Sequence, residues 1–349
     1  MKCAVLGATG VVGQHFLKLL ADHPEFELAA VCASDARTGQ PLVSAKELIP
    51  GGIPAQFKDI VFDPMQVDAL LAKDINLVFS ALPASIAKDF EMEAADKGIK
   101  VFSNASAYRM DPGVPILIPE INYDHLQLLQ GQLSHKKGYI VTNANCTTTG
   151  LAMALLPIQP LGIRKLIIAS YQAISGSGYP GHSALDMTAN VLPYIAGEEP
   201  KVLAECRKIF GEVAESQISP TTWEIHAHCL RVATVVGHMI SVHVELENET
   251  DEERVQSLFQ GYESPDAVKG LATAPLKPVL FSKDPLRPQP RLDVDAGSPD
   301  RARGMAVTVG RLSVDGPVIR FVTLSNNLVR GAAGGSILNA ELARRENLL

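Results

Sequence analysis

Residues 1–22 join a short apolar run, Met1 to Leu6, to the turn Gly7-Ala-Thr-Gly10-Val-Val-Gly13 and then to an amphipathic stretch ending near Asp22. Strand, glycine turn and helix in immediate succession form the arrangement that sets a pyrophosphate on a helix N-terminus. Glycine turns also join strands to helices for steric reasons alone. The position of this one, at the first strand of an alternating pattern, favours the nucleotide reading. Gly7, Thr9, Gly10, Val11, Val12 and Gly13 are the residues expected to face the dinucleotide.

The alternation continues. Strands are predicted over Glu27 to Ala33, Asn76 to Ala81, Ile99 to Phe102, Pro115 to Ile118 and Gly138 to Thr142, with a helix over Pro83 to Gly98. Short apolar strands separated by helical patterns imply a mainly parallel, doubly wound α/β sheet of the Rossmann type. Pro41 to Asp74 is less regular and reads as an insertion. After Pro157 the texture changes. Arg164–Ala173, Trp223–Val232, His238–Glu247, Met305–Val314 and Pro317–Leu324 are longer, partly alternating strands, with helical stretches near Ser183–Val191, Lys201–Gly211 and Asp251–Gln260. They predict a second, α+β domain on a mixed or antiparallel sheet. Pro285 to Pro299 reads as a surface loop, and the glycine-rich segment from Gly331 opens a last helix that returns to the first domain. The expected division is 1–145 plus 328–349 for the dinucleotide domain and 146–327 for the catalytic and oligomerisation domain.

A net charge of -7 argues against nucleic acid or an anionic membrane surface as partner. Five widely spaced cysteines (Cys3, Cys32, Cys146, Cys206, Cys229) without a CxxC pair point to a reducing compartment, hence the cytoplasm. No leader is visible before the first strand, and no apolar run reaches the roughly twenty residues needed to span a bilayer.

Chemistry concentrates in Tyr139-Ile-Val-Thr-Asn-Ala-Asn-Cys-Thr-Thr-Thr-Gly150. A buried strand ends near Thr142, and an apolar helical run, Leu151 to Leu156, follows before Pro157. Cys146 therefore falls at a helix N-terminus, where unpaired N–H groups favour thiolate over thiol. Asn145 and the N–H groups of Cys146 and Thr147 are placed to hold an oxyanion on a carbonyl attacked by that sulfur. A buried structural cysteine is the alternative. The polar neighbours Asn143, Asn145 and Thr147 favour the nucleophile. At the end of the second strand, Ser34 and Arg37 suit the 2′-phosphate of NADP, whereas Asp35 suits the free 2′-hydroxyl of NAD; the reading is NADP, with NAD possible.

Taken together, these motifs resemble aspartate-semialdehyde dehydrogenase, in its archaeal and fungal branch within the glyceraldehyde-3-phosphate dehydrogenase-like superfamily. The resemblance runs through Gly7–Gly13, Ser103–Arg109, Asn143–Gly150, Gln172–Gly181, Pro193–Lys201, Arg231–His238 and Ser325–Leu338. It implies Cys146 as nucleophile, His238 as general acid/base, and Gln172 and Asn145 as further catalytic groups. A neutral-range imidazole can pass a proton each way. It implies Arg231 as the bidentate clasp of a substrate carboxylate, Arg109 as a phosphate ligand, and Glu198 and Lys201 as handling substrate amine and phosphate. Ser80, Ser175, Gly176 and Asn327 fall to the cofactor. Two places depart from the family pattern: Arg231-Val-Ala-Thr-Val235 replaces the usual Arg-Val-Pro-Val, and Asp35 and Gln40 interrupt the loop after the second strand.

The implied activity is reductive dephosphorylation of L-aspartyl 4-phosphate to the semialdehyde by NADPH, through a cysteine thioester. Its partners would be a small acyl phosphate or aldehyde and phosphate, and the assembly a homodimer or homotetramer. N-acetyl-glutamyl-phosphate reductase and malonyl-CoA reductase are rival readings on the same core, and a regulatory nucleotide-binding protein is a third. A metal site built from His226, His228, Cys229, His238 and His243 lacks a carboxylate at fitting spacing and is not expected.

Overall fold

A computed structural model describes residues 1–214 and 217–349. Strands β1 (Lys2–Leu6), β2 (Glu27–Cys32), β3 (Phe62–Asp63), β4 (Leu77–Ser80), β5 (Lys100–Ser103), β6 (Ile116–Leu117) and β7 (Tyr139–Asn143) make one sheet in the order β3-β2-β1-β4-β5-β7-β6. Every neighbouring pair in it runs parallel. Helices cover both faces, which is why these strands are continuous apolar runs rather than alternating ones. Strand order reverses between β1 and β4, so a crevice opens beyond their C-terminal ends. Gly7 and Ser80 stand on its two sides. A side chain at Gly7, which has φ +80°, would put a Cβ 2.7 Å from the Ala81 carbonyl oxygen. Glycine is needed there both for the backbone and for the close approach.

The second sheet is built from β8 (Ile163–Ala173), β9 (Val191–Leu192), β12 (Glu224–Val232), β13 (His238–Leu246), β14 (Val279–Ser282), β15 (Val307–Asp315) and β16 (Val318–Ser325), in the order β14-β15-β16-β13-β8-β12-β9. A separate hairpin pairs β10 (Glu212–Ala214) with β11 (Gln217–Ser219). The large sheet is mixed: β12 runs parallel to β8, and β13 antiparallel to it. Along β8, Leu166, Ile168, Ser170 and Gln172 are buried, while Ile167 and Tyr171 are exposed. One face is therefore covered, by helices Cys146–Leu155, Glu198–Ile209 and Glu252–Gly261, and the other is open.

Three local expectations change. The helix predicted over Ser183–Val191 spans only Ala184–Met187, because Ala189 takes a left-handed φ of +53° and the chain then enters edge strand β9. The helix predicted to start at Lys201 begins at Glu198, directly after Gly197 at φ +67°. The proline-rich loop holds a helical turn, Pro290–Asp293, whose Asp293 accepts the Gln289 N–H at 2.6 Å.

The last segment leaves β16 through a π-helical turn, Val329–Ala333, and becomes helix Gly334–Arg345. Ile337, Leu338, Ala340, Leu342 and Ala343 pack into the core under the first sheet. In the turn, Arg330 donates two 2.7 Å hydrogen bonds to the Glu120 carboxylate, and both side chains are almost wholly buried.

Candidate active site

Cys146 is the first residue of its helix, and Asn145 is the N-cap. The Asn145 Oδ1 accepts from Thr147 N–H at 2.8 Å and Thr148 N–H at 3.2 Å. The Asn145 Nδ2 donates to Glu198 Oε1 at 3.0 Å. This revises the expected oxyanion site. The Thr147 N–H and the Asn145 side chain are spent on capping and on Glu198.

Strand parity delivers the rest. Gln172 on β8 lies opposite Arg231 on β12, and His238 opens β13, all three on the covered face. The Cys146 Sγ lies 3.2 Å from His238 Nε2. The Ala173 N–H donates to His238 Nδ1 at 3.1 Å, so the neutral ring carries its proton on Nε2, facing the sulfur. The Ala173 carbonyl in turn accepts from Arg231 Nη1 at 2.8 Å. Gln172 Nε2 and the Thr147 hydroxyl donate to the Glu198 oxygen that holds Asn145, at 3.1 and 3.2 Å. Arg231 and Arg109 are each more than nine-tenths buried, and the Nε of each is buried without a protein partner. Two buried guanidiniums with unused N–H groups are a waiting anion site.

Electrostatics around the sulfur runs against the thiolate reading. Burial pushes the Cys146 thiol up to about 12, and Glu198 adds to the rise. Arg109, Arg231 and the Thr147 N–H oppose it without prevailing. Burial therefore weighs toward the thiol, against the pull of the helix N-terminus, although part of the residue's surface stays open. Burial and the Arg231 cation depress His238 to about 3, which keeps the imidazole neutral.

The glycine loop after β8 closes over this group. A Cβ at Gly176 would fall 2.8 Å from Arg231 Nη1 and 3.1 Å from His238 Nε2. Ser175 Oγ accepts from Asn327 Nδ2 at 2.9 Å, and Asn327 Oδ1 accepts the Gly237 N–H at 2.9 Å, so one asparagine ties the loop to the residue before His238. From behind, Gly331 leans on the cysteine. A Cβ there would sit 2.6 Å from Cys146 Cβ.

A cavity of about 900 Å³ runs from Val11 on the first helix past Ser175 to Val329. That helix, Val11–Leu20, begins at Gly10 with no side-chain cap and no acidic residue in its first turn, so its N-terminal N–H groups are free for an anion. Any side chain at position 13 is excluded by the Gly7 carbonyl oxygen, 2.2 Å from where a Cβ would lie. Ser80 is buried at the end of β4, and its carbonyl accepts both the backbone and the side-chain N–H of Asn104. Ser34 is exposed, and Arg37 turns towards Gln40 Oε1 and the Ser44 carbonyl.

Lys201 is exposed and makes no hydrogen bond or ion pair among the described residues; it stands outside the bonded group. His226 and His228 lie exposed on the open face, whereas His238 is buried on the covered one. Among the described residues no cluster of three or more metal-ligating side chains occurs. No helix is long and apolar enough to cross a membrane. Two residues escaped the sequence reading. Glu205 contacts both Arg109 and Asn145, and Lys208 donates to the carbonyls of Arg109, Asp111 and Val114. Their spacing from Glu198 along the apolar-periodic face with Val202 and Ile209 was the available signal.

Known proteins share this architecture. The family profile described as "Semialdehyde dehydrogenase, NAD binding domain" matches residues 2–129, and "Semialdehyde dehydrogenase, dimerisation domain" matches 155–330. The chain is 43% identical to an aspartate-semialdehyde dehydrogenase of Archaeoglobus fulgidus, over 99% of this chain and 98% of that one. It is 36% identical to a malonyl CoA reductase (NADP) of Metallosphaera sedula, over 98% and 96% of the two chains. The crystal structure of aspartate semialdehyde dehydrogenase with NADP from Candida albicans superposes with a TM-score of 0.90 at 34% identity, over 100% of this chain and 99% of the other. With both domain profiles matched in order and relatives aligned end to end, the chain belongs to the aspartate-semialdehyde dehydrogenase family.

Proposed function

We propose that the chain reduces L-aspartyl 4-phosphate to L-aspartate 4-semialdehyde with NADPH, releasing phosphate. The carrying observation is the Cys146 sulfur, 3.2 Å from the His238 Nε2–H and flanked by two buried arginines with unused N–H groups. The sulfur attacks the acyl carbon, and the carbon–oxygen bond to phosphate breaks. The thiol proton leaves with the phosphate, and a thioester remains on Cys146. Arg109 holds the phosphate and Arg231 the substrate carboxylate. The Glu198 carboxylate, whose Oε1 already collects Asn145, Thr147 and Gln172, meets the substrate amine. Gln172 orients the substrate.

The residues around the crevice fit NADP. The uncapped helix at Gly10 suits its pyrophosphate, and Ser175, Gly176 and Asn327 flank the approach to Cys146. When bound, the nicotinamide supplies the hydride that reduces the thioester carbon. The His238 Nε2–H then holds the thiohemiacetal oxyanion by a hydrogen bond. The carbon–sulfur bond breaks as that oxyanion collapses to the aldehyde, and a solvent proton restores the thiol on the departing sulfur. The relative crystallised with NADP supports NADP as the cofactor, with Ser34 and Arg37 as the residues proposed for its 2′-phosphate.

A malonyl CoA reductase relative and the altered Arg231-Val-Ala-Thr stretch favour one second reading, a CoA thioester in place of the acyl phosphate. One comparison separates them. Reduction of NADP and of NAD is followed with aspartate semialdehyde, with and without phosphate, beside N-acetyl-glutamate semialdehyde and beside NADPH oxidation by malonyl-CoA. The expected result is phosphate-dependent turnover with aspartate semialdehyde, faster with NADP. Turnover with malonyl-CoA alone would overturn the proposal.

We also propose a homodimer or homotetramer, formed through the open face of the second sheet. Ile167 and Tyr171 on that face, with Leu185, Val191 and Tyr194 on the adjoining arm, expose apolar surface of the kind that pairs with a second copy. Light scattering should give a mass at least twice 37.4 kDa; a monomer at micromolar concentration would refute it. The five free thiols fit the reducing cytoplasm.

A further inference from the structure

Helix Glu198–Ile209 carries two carboxylates seven residues apart on its buried face, Glu198 and Glu205, beside Val202 and Ile209. Both converge on Asn145. Glu198 takes the side-chain Nδ2–H, and Glu205 Oε2 takes the backbone N–H at 2.6 Å. The second Glu205 oxygen accepts from Arg109 Nη1 at 3.0 Å, and Glu205 is only 2% exposed. A buried carboxylate survives only with such partners. Arg109 Nη2 is used by the Asn104 carbonyl at 2.7 Å, so its unpartnered Nε is left for a ligand. One turn further along the helix, the Lys208 ammonium donates at 2.7 Å to the carbonyls of Arg109, Asp111 and Val114, drawing the backbone of the Arg109 segment down onto the same helix.

We propose that Glu205 is a positioning residue for the reaction: it fixes the guanidinium that binds the phosphate against the N-cap of the helix bearing Cys146. This rests on the acyl-phosphate reading given above. Glu205 touches neither sulfur nor imidazole. Its work is to hold Arg109 at a set distance from the attacking atom, so that a phosphate gripped by Arg109 lies where its acyl carbon meets the thiol. Without the carboxylate, Arg109 keeps its charge and its bond to the Asn104 carbonyl but loses its second anchor, and the anion site loosens while the thiol–imidazole pair stays in place.

The test uses the full-length enzyme in the oxidative direction, with inorganic phosphate as the varied substrate. Glu205→Gln preserves volume but offers one acceptor oxygen to two donors. It should raise the KM for phosphate about tenfold or more while leaving the KM values for aldehyde and NADP within about twofold. A readout independent of turnover accompanies it: the phosphate concentration that half-protects Cys146 from iodoacetamide should rise by the same factor. Arg109→Ala and the double variant complete a cycle. If Glu205 acts through Arg109, the double variant binds phosphate no worse than Arg109→Ala alone.

Phosphate constants within twofold of wild type in Glu205→Gln, or losses that simply add in the double variant, would overturn the assignment. Should Glu205→Gln fail to fold, Glu205→Asp keeps the charge on a shorter stem and is expected to shift the same two phosphate readouts in the same direction; unchanged values there also refute it. Wild-type turnover that ignores phosphate would instead overturn the acyl-phosphate reading itself, and Glu205's part with it.

Discussion

Cys146→Ala is expected to lower turnover on the order of 10⁴-fold or more, because no other group at the site can form the covalent thioester. Alanine retains the Cβ against which Gly331 packs, so the π-helical turn and the helix behind it have no reason to shift. The crevice proposed for the cofactor lies on the first sheet, bounded by Gly7, Gly13 and the uncapped helix at Gly10, none of which depends on the sulfur. NADPH affinity, read by nicotinamide fluorescence, should therefore stay within about twofold of wild type. His238→Asn provides the contrast within the same experiment. It leaves the nucleophile but removes the Nε2 proton, and should cost about 10²–10⁴-fold, less than loss of the thiol. More than about one percent of wild-type turnover in Cys146→Ala would remove the nucleophile from the account.

Arg330→Leu should destabilise the protein by about 3–5 kcal/mol, seen as a lower urea midpoint. The guanidinium closes two hydrogen bonds on Glu120 in a setting where neither side chain reaches water. Removing the cation strands a carboxylate in the interior, and that orphaned charge, more than the lost attraction, sets the size of the effect. The double variant Glu120→Leu/Arg330→Leu removes both charges and should recover much of the loss. A single variant within 1 kcal/mol of wild type, or a double variant worse than the single one, would show that water or a rearranged neighbour compensates.

Much of this arrangement was legible because its parts announce themselves locally. The glycine turn after β1, the cysteine at a strand-to-helix junction and the alternating strands of the second half each need only a short window of residues. The expected parallel sheet, the mixed second sheet and the return of the final helix all appear. What stayed hidden depends on distant partners. Helical spacing puts Glu205 on the buried face with Val202 and Ile209, but nothing near it shows that residue 145 will meet it. The state of the Cys146 sulfur was hidden for the same reason. A helix N-terminus is visible in a window, but the burial that outweighs it exists only once the chain has folded around the sulfur. Of the donors assigned to an oxyanion, the Asn145 amide was likewise claimed by Glu198, fifty-three residues away, and the Thr147 N–H by the Asn145 cap.

The helix Gly334–Arg345 completes the core beneath strands that precede it by the whole length of the second sheet. During synthesis, the nucleotide half of the molecule must wait with one flank uncovered until the second sheet and this helix have emerged. The turn that braces the thiol arrives in the same late segment. A nascent chain therefore carries the Cys146 thiol without its backing until residues 329–333 have been made.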